Sequence, residues 1–206
     1  LGISRESAGY ITSANKYGAA FGALLATFTV RYIPWRQSAY LTLITLISVD
    51  ILSFSLDDPD TLIIVRFIHG TIGGFLVGLG FSIIAKTASP DRVFGMLVAI
   101  QYTFGSVGIF TVPKLVGTFG PGAAFGALIT FSTITLIMVP FIPDYAERDD
   151  KRDSSKQSVG PRTILLAPAA LGLLALFFFQ SSNMGIADYA IELGKDNGYS
   201  IAYLSN

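Results

Sequence analysis

The sequence predicts an all-α membrane protein, a polytopic bundle of about six transmembrane helices. Three observations predict it. Apolar segments of roughly 20 residues recur, the length a helix needs to cross about 30 Å of hydrocarbon. Short polar clusters separate them at regular intervals. Finally, 51% of the 206 residues are hydrophobic and only 14% are charged, against roughly 25% charged in a soluble domain. The deficit runs the whole length, so no part reads as a water-soluble domain.

The first span covers about Ser7 to Val30 and carries the polar trio Asn15, Lys16 and Tyr17. Gly18 and Gly22 give it a GxxxG spacing, which suits close helix packing. The basic turn Arg31 to Arg36 follows, with Trp35 as an interfacial aromatic. The second span covers about Ser38 to Leu56 and contains Asp50. The acidic turn Asp57 to Asp60 leads into a third span, about Thr61 to Lys86. This span carries Arg66 and His69, then Gly70, Gly73, Gly74, Gly78 and Gly80, read as packing residues. Pro90 opens the fourth helix, since a residue without an N–H fits the first helical turn. The fourth span covers about Val93 to Val116 and holds Gln101, Tyr102, Gly105, Gly108 and Pro113. The fifth covers about Ala123 to Phe141. A polar, Ser-rich stretch of mixed charge, Asp144 to Arg162, reads as a flexible loop. The sixth span covers about Thr163 to Leu193, bent near Gly185, with Gln180, Asn183, Asp188 and Glu192 in its second half.

Composition excludes several function classes. Net charge is zero, so no basic field points to nucleic acid. The chain has no Cys and a single His, too few ligands for a thiolate or imidazole metal cluster. It has no phosphate-cradling P-loop and no hydrolase triad, so the reading is not an enzyme and implies no cofactor. The Lys/Arg bias sets orientation. Arg31 and Arg36, Lys86 and Arg92, and the five cations of the long loop fall on one side, expected to be cytoplasmic. The Asp57 to Asp60 turn and both chain ends then lie outside. An outside start, at Leu1, is natural if one upstream span is missing, so the chain is expected to be a fragment whose remainder belongs to the same polypeptide.

Several local patterns, in order, resemble the major facilitator superfamily. Arg66, His69 and Gly70, followed by Gly73 and Gly74, resemble its fourth-helix motif, an Arg with a Gly one turn on. Ser89 to Gly95 resembles the turn into its fifth helix, and Pro143-Asp144 the Pro-acid pair that ends its sixth. The segment Ala26 to Arg36 keeps Arg31 and Arg36 of the Gly-x-x-x-Asp-Arg-x-Gly-Arg-Arg loop signature but has no Asp and neither Gly. Gly105, Gly108 and Pro113 echo part of the antiporter motif without its Gly-Pro pair. The resemblance covers the whole chain and implies helices two to seven. Residues 1–143 would form the N-terminal bundle without its first helix, 144–162 the cytoplasmic inter-bundle loop, and 163–206 the first, truncated helix of the C-terminal bundle.

Polar residues inside membrane spans are costly and face the bundle interior or a water-filled cavity. Arg66 is either an Arg snorkelling to the outer headgroups or a buried cation that biases a proton or substrate site, as the family motif implies. His69 lies three residues on, so the two share a helix face; its near-neutral titration suits proton coupling, and packing is the alternative. The resemblance implies a cavity lined by Asn15, Lys16, Tyr17, Gln101 and Tyr102, with Gln180 and Asn183 candidates on the last span. Asp188 is a third coupling candidate, or a solvated cap with Glu192. Asp50 is read as polarity at the outer interface of a peripheral helix. The expected function is secondary active transport of a small organic solute by alternating access, as symport or antiport, with possible proton coupling. The expected setting is the lipid bilayer of a bacterial inner (plasma) membrane. A non-transporting scaffold or accessory subunit and an oligomeric channel subunit are the rival readings.

Overall fold

The computed structural model describes residues 5–56, 58–120 and 122–142, together with Leu171, Leu174, Phe178 and Asn197. The chain divides into two units, 1–148 and 149–206. In the second, Leu171, Leu174 and Phe178 are helical and exposed. The remainder of the predicted sixth span and the loop before it lie outside the described residues.

The first unit is a helical bundle, with no strand among the described residues. Its long helices are α1 (Arg5–Thr29), α2 (Trp35–Ser53), α3 (Pro59–Ala85), α4 (Pro90–Phe119) and α5 (Gly122–Met138). A 3₁₀ turn, Val30–Tyr32, follows α1, and another, Val139–Phe141, follows α5.

Local chemistry sets the boundaries. Ile33 precedes a proline and is extended, as the clash with a proline ring demands. The Pro34 carbonyl then accepts the Ser38 N–H at 3.1 Å and its hydroxyl at 3.0 Å, opening α2. Asp58 caps α3, with Oδ2 accepting the Thr61 N–H at 2.9 Å and the Thr61 hydroxyl at 2.6 Å. Pro59 follows at the first helical position, where its missing N–H costs nothing. Pro90 opens α4 in the same way. Gly120, at φ 82°, closes α4 in a left-handed region that suits only glycine well.

Among the described residues, three helices are long and apolar enough to cross a membrane: α3, α4, and α5 with its 3₁₀ turn. The two helices α1 and α2 have 25 and 19 residues, which is sufficient length, but a more polar composition. Much of the polarity of α2 is internally satisfied. Thr42, Thr45, Ser48 and Ser53 each donate a hydroxyl to a carbonyl one turn back. A hydroxyl bonded in this way needs no water. Phe21, Leu41, Ile44, Ile64, Phe104 and Ile109 point outward and are exposed. Such a surface is unfavourable in water and suits hydrocarbon.

Hydrocarbon surroundings give little hydrophobic drive for helix association, so close packing has to supply it. The α1–α3 seam shows how. Gly18, Gly22 and Ala26 recur every fourth residue on one face of α1 and are buried. Gly70, Gly74 and Gly78 recur with the same spacing on α3, Gly70 and Gly74 buried and Gly78 half-buried. A Cβ at Gly22 would overlap the Thr71 carbonyl oxygen, and one at Gly74 the Ala19 carbonyl oxygen. The two backbones therefore touch, and the helices run parallel. Gly73 and Gly80, read as packing residues from sequence, meet nothing within 4 Å.

Across α2, the bundle separates an apolar end from a polar one. Ala39, Leu43, Leu79 and Val139 form a buried apolar cluster toward the Arg36 end of α2. There Arg36 Nη2 donates to the Ile142 carbonyl at 2.8 Å, tying the start of α2 to the end of α5. Toward the Asp58 end, Phe54 packs on Phe125 with ring centroids 5.5 Å apart, so α2 and α5 are antiparallel. The polar site lies at this second end.

Candidate functional site: a buried charge cluster across three helices

Buried positions on α2 recur as Leu43, Leu46, Asp50 and Ser53, and on α3 as Leu62, Arg66, Gly70 and Gly74. These are the spacings of one helix face. Asp50 and Arg66 therefore point into the bundle because their neighbours on the same stripe do. The short connection between the helices brings them to within about one turn of the same depth. Asp50 is about one turn from its end of the connection and Arg66 about two turns from the other. Side chains on a helix lean toward its N-terminus, so the guanidinium reaches back toward Asp50.

Arg66 Nη1 lies 3.1 Å from Asp50 Oδ1, with side-chain exposures of 9% and 0%. The guanidinium also lies over the Phe125 ring of α5, 4.7 Å from its centroid. Its second terminal nitrogen, Nη2, is buried without a hydrogen-bond partner among the described residues. The negative face of an aromatic ring partly compensates a cation placed in this way.

His69, one turn along the same face of α3, extends the cluster. Its Nε2 lies 3.3 Å from Asp50 Oδ2 and its Nδ1 lies 3.2 Å from Asn15 Oδ1 on α1. Its side chain is 15% exposed, making it the more accessible ionisable member. Asn15 reaches it because residue 70 has no side chain: a Cβ there would overlap the Asn15 carbonyl oxygen and lie 2.9 Å from Asn15 Oδ1. The glycine seam thus builds the site as well as the packing.

Among the described residues, the structure brings Asn15, Arg66 and His69 together. Lys16, beside Asn15, is half-buried outside that cluster, and Tyr17 is 73% exposed. Gln101 and Tyr102 are exposed on α4 and also stand outside it. Gln180, Asn183, Asp188 and Glu192 lie outside the described residues. The reading of Asp50 as outer-interface polarity is overturned: it is fully buried and is the acceptor shared by Arg66 and His69. Sequence did carry a signal for this. An acid and a base lie within about one and two turns of a short interhelical connection, one on each side, and antiparallel helices bring such residues close enough for a long side chain to bridge.

The arrangement sets a guanidinium and an imidazole against one carboxylate. With a neutral imidazole, Asp50 and Arg66 cancel; with an imidazolium the cluster carries one net positive charge. Asp58, at the mouth of the same end, has its carboxyl held below the ordinary range by the Thr61 hydroxyl and then by the Thr61 N–H.

The chain matches no curated protein and no solved structure. The family model of the Major Facilitator Superfamily matches it over residues 1–206, its whole length. Apolar helices long enough to cross a bilayer, a surface suited to lipid and a match over the full length agree. This integral membrane protein belongs to the Major Facilitator Superfamily of membrane transporters.

Proposed function

We propose that this chain is part of a secondary active transporter that moves a small organic solute by alternating access, with proton movement coupled through His69 and the Asp50–Arg66 pair. The observation that carries the reading is the buried cluster itself. Ionisable side chains inside a membrane are expensive to bury and mark proton or substrate pathways by default. Here three of them, with Asn15, bridge α1, α2 and α3. A proton arriving at His69 changes the charge of contacts that join all three helices in polar form. Such a change biases the packing of the helices within this bundle, and alternating access needs a bundle whose state responds to the bound proton as it rocks against its partner.

The solute is inferred to be organic because the candidate cavity residues mix hydrogen-bonding, aromatic and charged groups: Asn15, Lys16, Tyr17, Gln101 and Tyr102, with Gln180 and Asn183. Asp188 is retained as a further proton carrier. Residues 1–143 are assigned to one bundle, 144–162 to the cytoplasmic loop and 163–206 to the start of the second bundle. The Lys/Arg bias supports that sidedness, and the membrane is taken to be a bacterial plasma membrane. A scaffold that binds partners and moves nothing is the second reading, favoured by the buried Asp50–Arg66 contact, which a purely structural ion pair also gives.

The test is transport by the full polypeptide in proteoliposomes. A mixture of small organic cations, anions and neutral solutes is offered with and without an inward proton gradient, and mass spectrometry reads what accumulates. Gradient-dependent accumulation of one solute class, reduced at least about tenfold by His69→Gln at unchanged protein level, supports the proposal. No accumulation of any class by folded protein leaves the scaffold reading. Accumulation that His69→Gln does not affect removes His69 from coupling.

A further inference from the structure

Both ring nitrogens of His69 face oxygen atoms: Asp50 Oδ2 at 3.3 Å from Nε2, and Asn15 Oδ1 at 3.2 Å from Nδ1. A carboxylate only accepts, so Nε2 must carry a hydrogen in either charge state. The neutral ring then has a bare lone pair at Nδ1. Facing Asn15 Oδ1, that lone pair would meet another one. Only two arrangements satisfy the contact. In the first the ring is an imidazolium and Nδ1–H donates to Asn15 Oδ1. In the second the ring is neutral, and Asn15 has turned its amide so that Nδ2–H donates to Nδ1.

We propose that Asn15 is the positioning residue that reads the proton on His69, reversing its side-chain amide each time the ring gains or loses the Nδ1 proton. This rests on the reading of His69 as a proton site. The proton comes from the aqueous phase to the Nδ1 lone pair and returns there, and the exposed edge of His69 admits it. No other bond forms or breaks. The charged groups facing the ring are Asp50 from α2 and Arg66 from α3 itself; α1 offers the neutral amide of Asn15, with Lys16 beside it in sequence, and α5 offers Phe125 against Arg66. Asp50 is held by Arg66 and cannot turn, so the α1 contact is the one that changes. The consequence reaches α1 at the point where Gly70 lets the two backbones touch. A proton bound on α3 thereby alters the donor and acceptor that α1 presents beside Lys16 and Tyr17.

The experiment is a pH titration of the full polypeptide in lipid nanodiscs, with ¹⁵N in the histidine rings and asparagine side chains. It requires neither solute nor substitution. In the acidic limb both His69 nitrogens should be protonated, and no ¹⁵N–¹⁵N coupling should link the ring to an asparagine. In the alkaline limb the ring should be the Nε2–H tautomer, and a coupling across an N–H···N bond from Asn15 Nδ2 should appear in the same pH step. Asn15→Asp, which has no Nδ2, should lose the coupling at every pH, and a coupling that survives it belongs to another asparagine and overturns the inference. If His69 titrates while the Asn15 amide shows no coupling at any pH, the inference falls and the proton-site reading stands. If the ring keeps one charge state throughout, both fall.

Discussion

Asp50 on α2 and Arg66 on α3 form an ion pair at 3.1 Å from which water is almost wholly excluded. The pair is not isolated: His69 shares the same carboxylate and Phe125 covers the guanidinium. Removing one member leaves the other charged, buried and without its full counter-charge, His69 and Phe125 compensating only in part; breaking a buried pair typically costs about 3–5 kcal/mol, whereas replacing both members by apolar groups can be nearly neutral. Asp50→Leu and Arg66→Leu should each destabilise strongly. The double variant should be more stable than the sum of the two predicts by at least about 1 kcal/mol. Thermal unfolding in detergent, run as a double-mutant cycle, measures this coupling. Additive single effects would show that the two charges do not depend on each other.

The α1–α3 seam gives a contrast within one helix. At Gly22 and Gly74 an added methyl would strike a backbone carbonyl of the facing helix. Backbone cannot move aside as a side chain can, so the helices must separate. Gly22→Ala and Gly74→Ala should each cost about 1–3 kcal/mol, in the range for overpacking. Gly73→Ala and Gly80→Ala, with nothing within 4 Å, should be neutral or stabilising by up to about 1 kcal/mol through helix propensity. Unfolding temperatures of the four variants, compared in one detergent, separate the two sets. Equal effects at all four sites would mean that the seam does not hold the helices.

Residues whose role follows from period or backbone chemistry were legible before the structure. Pro90 opens α4 because proline fits the first helical turn, and the GxxxG of Gly18 and Gly22 lies in a contact seam. Gly73 and Gly80 were not separable from Gly70, Gly74 and Gly78 by composition. The distinction depends on which face of α3 meets α1, and only the four-residue spacing of the second set carries that information. Asp50 was misread for a related reason. Depth from a helix end can be counted along the chain, but whether a side chain points outward or into the bundle depends on the partner helix. Arg66 and His69 were legible as a shared face; that Asn15 completes the cluster from α1 was not, since it depends on the parallel register of α1 and α3.

The Asp58 cap makes a prediction about pH. The Thr61 hydroxyl and N–H bond the ionised carboxyl, which lowers its titration below that of an unfolded chain. A depressed acid contributes stability that is fully present above the unfolded value and is lost as pH falls through the folded one. The wild-type chain should therefore lose part of the stability of the α3 start only in strongly acidic solution, below about pH 4. Asp58→Asn keeps an acceptor for Thr61 without the charge, so it should be slightly less stable at neutral pH and show a flatter acid limb. Asp58→Ala should be less stable than both at neutral pH. Unfolding temperatures from about pH 6 to pH 3 read the difference. Parallel acid limbs for wild type and Asp58→Asn would remove the charge from the argument.

Arg36 anchors the opposite end of the bundle. Its Nη2 bonds the Ile142 carbonyl at 2.8 Å, just past the 3₁₀ turn after α5, and its guanidinium lies 5.2 Å from the centre of the Trp35 ring. The carbonyls at a helix end lack intrahelical donors, and a cation there also meets the favourable end of the helix dipole. A hydrogen bond involving a charged group contributes about 1.5–3 kcal/mol. Arg36→Ala should therefore destabilise by about that amount, in the first instance by freeing the end of α5 from α2. Arg36→Lys keeps the charge but loses the planar fork and the stacking surface, so it should recover less than half of the loss. Hydrogen exchange localises the effect. Amides around Val139 to Ile142 should lose protection in Arg36→Ala, while those around Asp50 and Arg66, at the other end of the bundle, should keep theirs. Uniform loss along α2 and α5 would show that Arg36 supports the whole helix pair rather than one end of it.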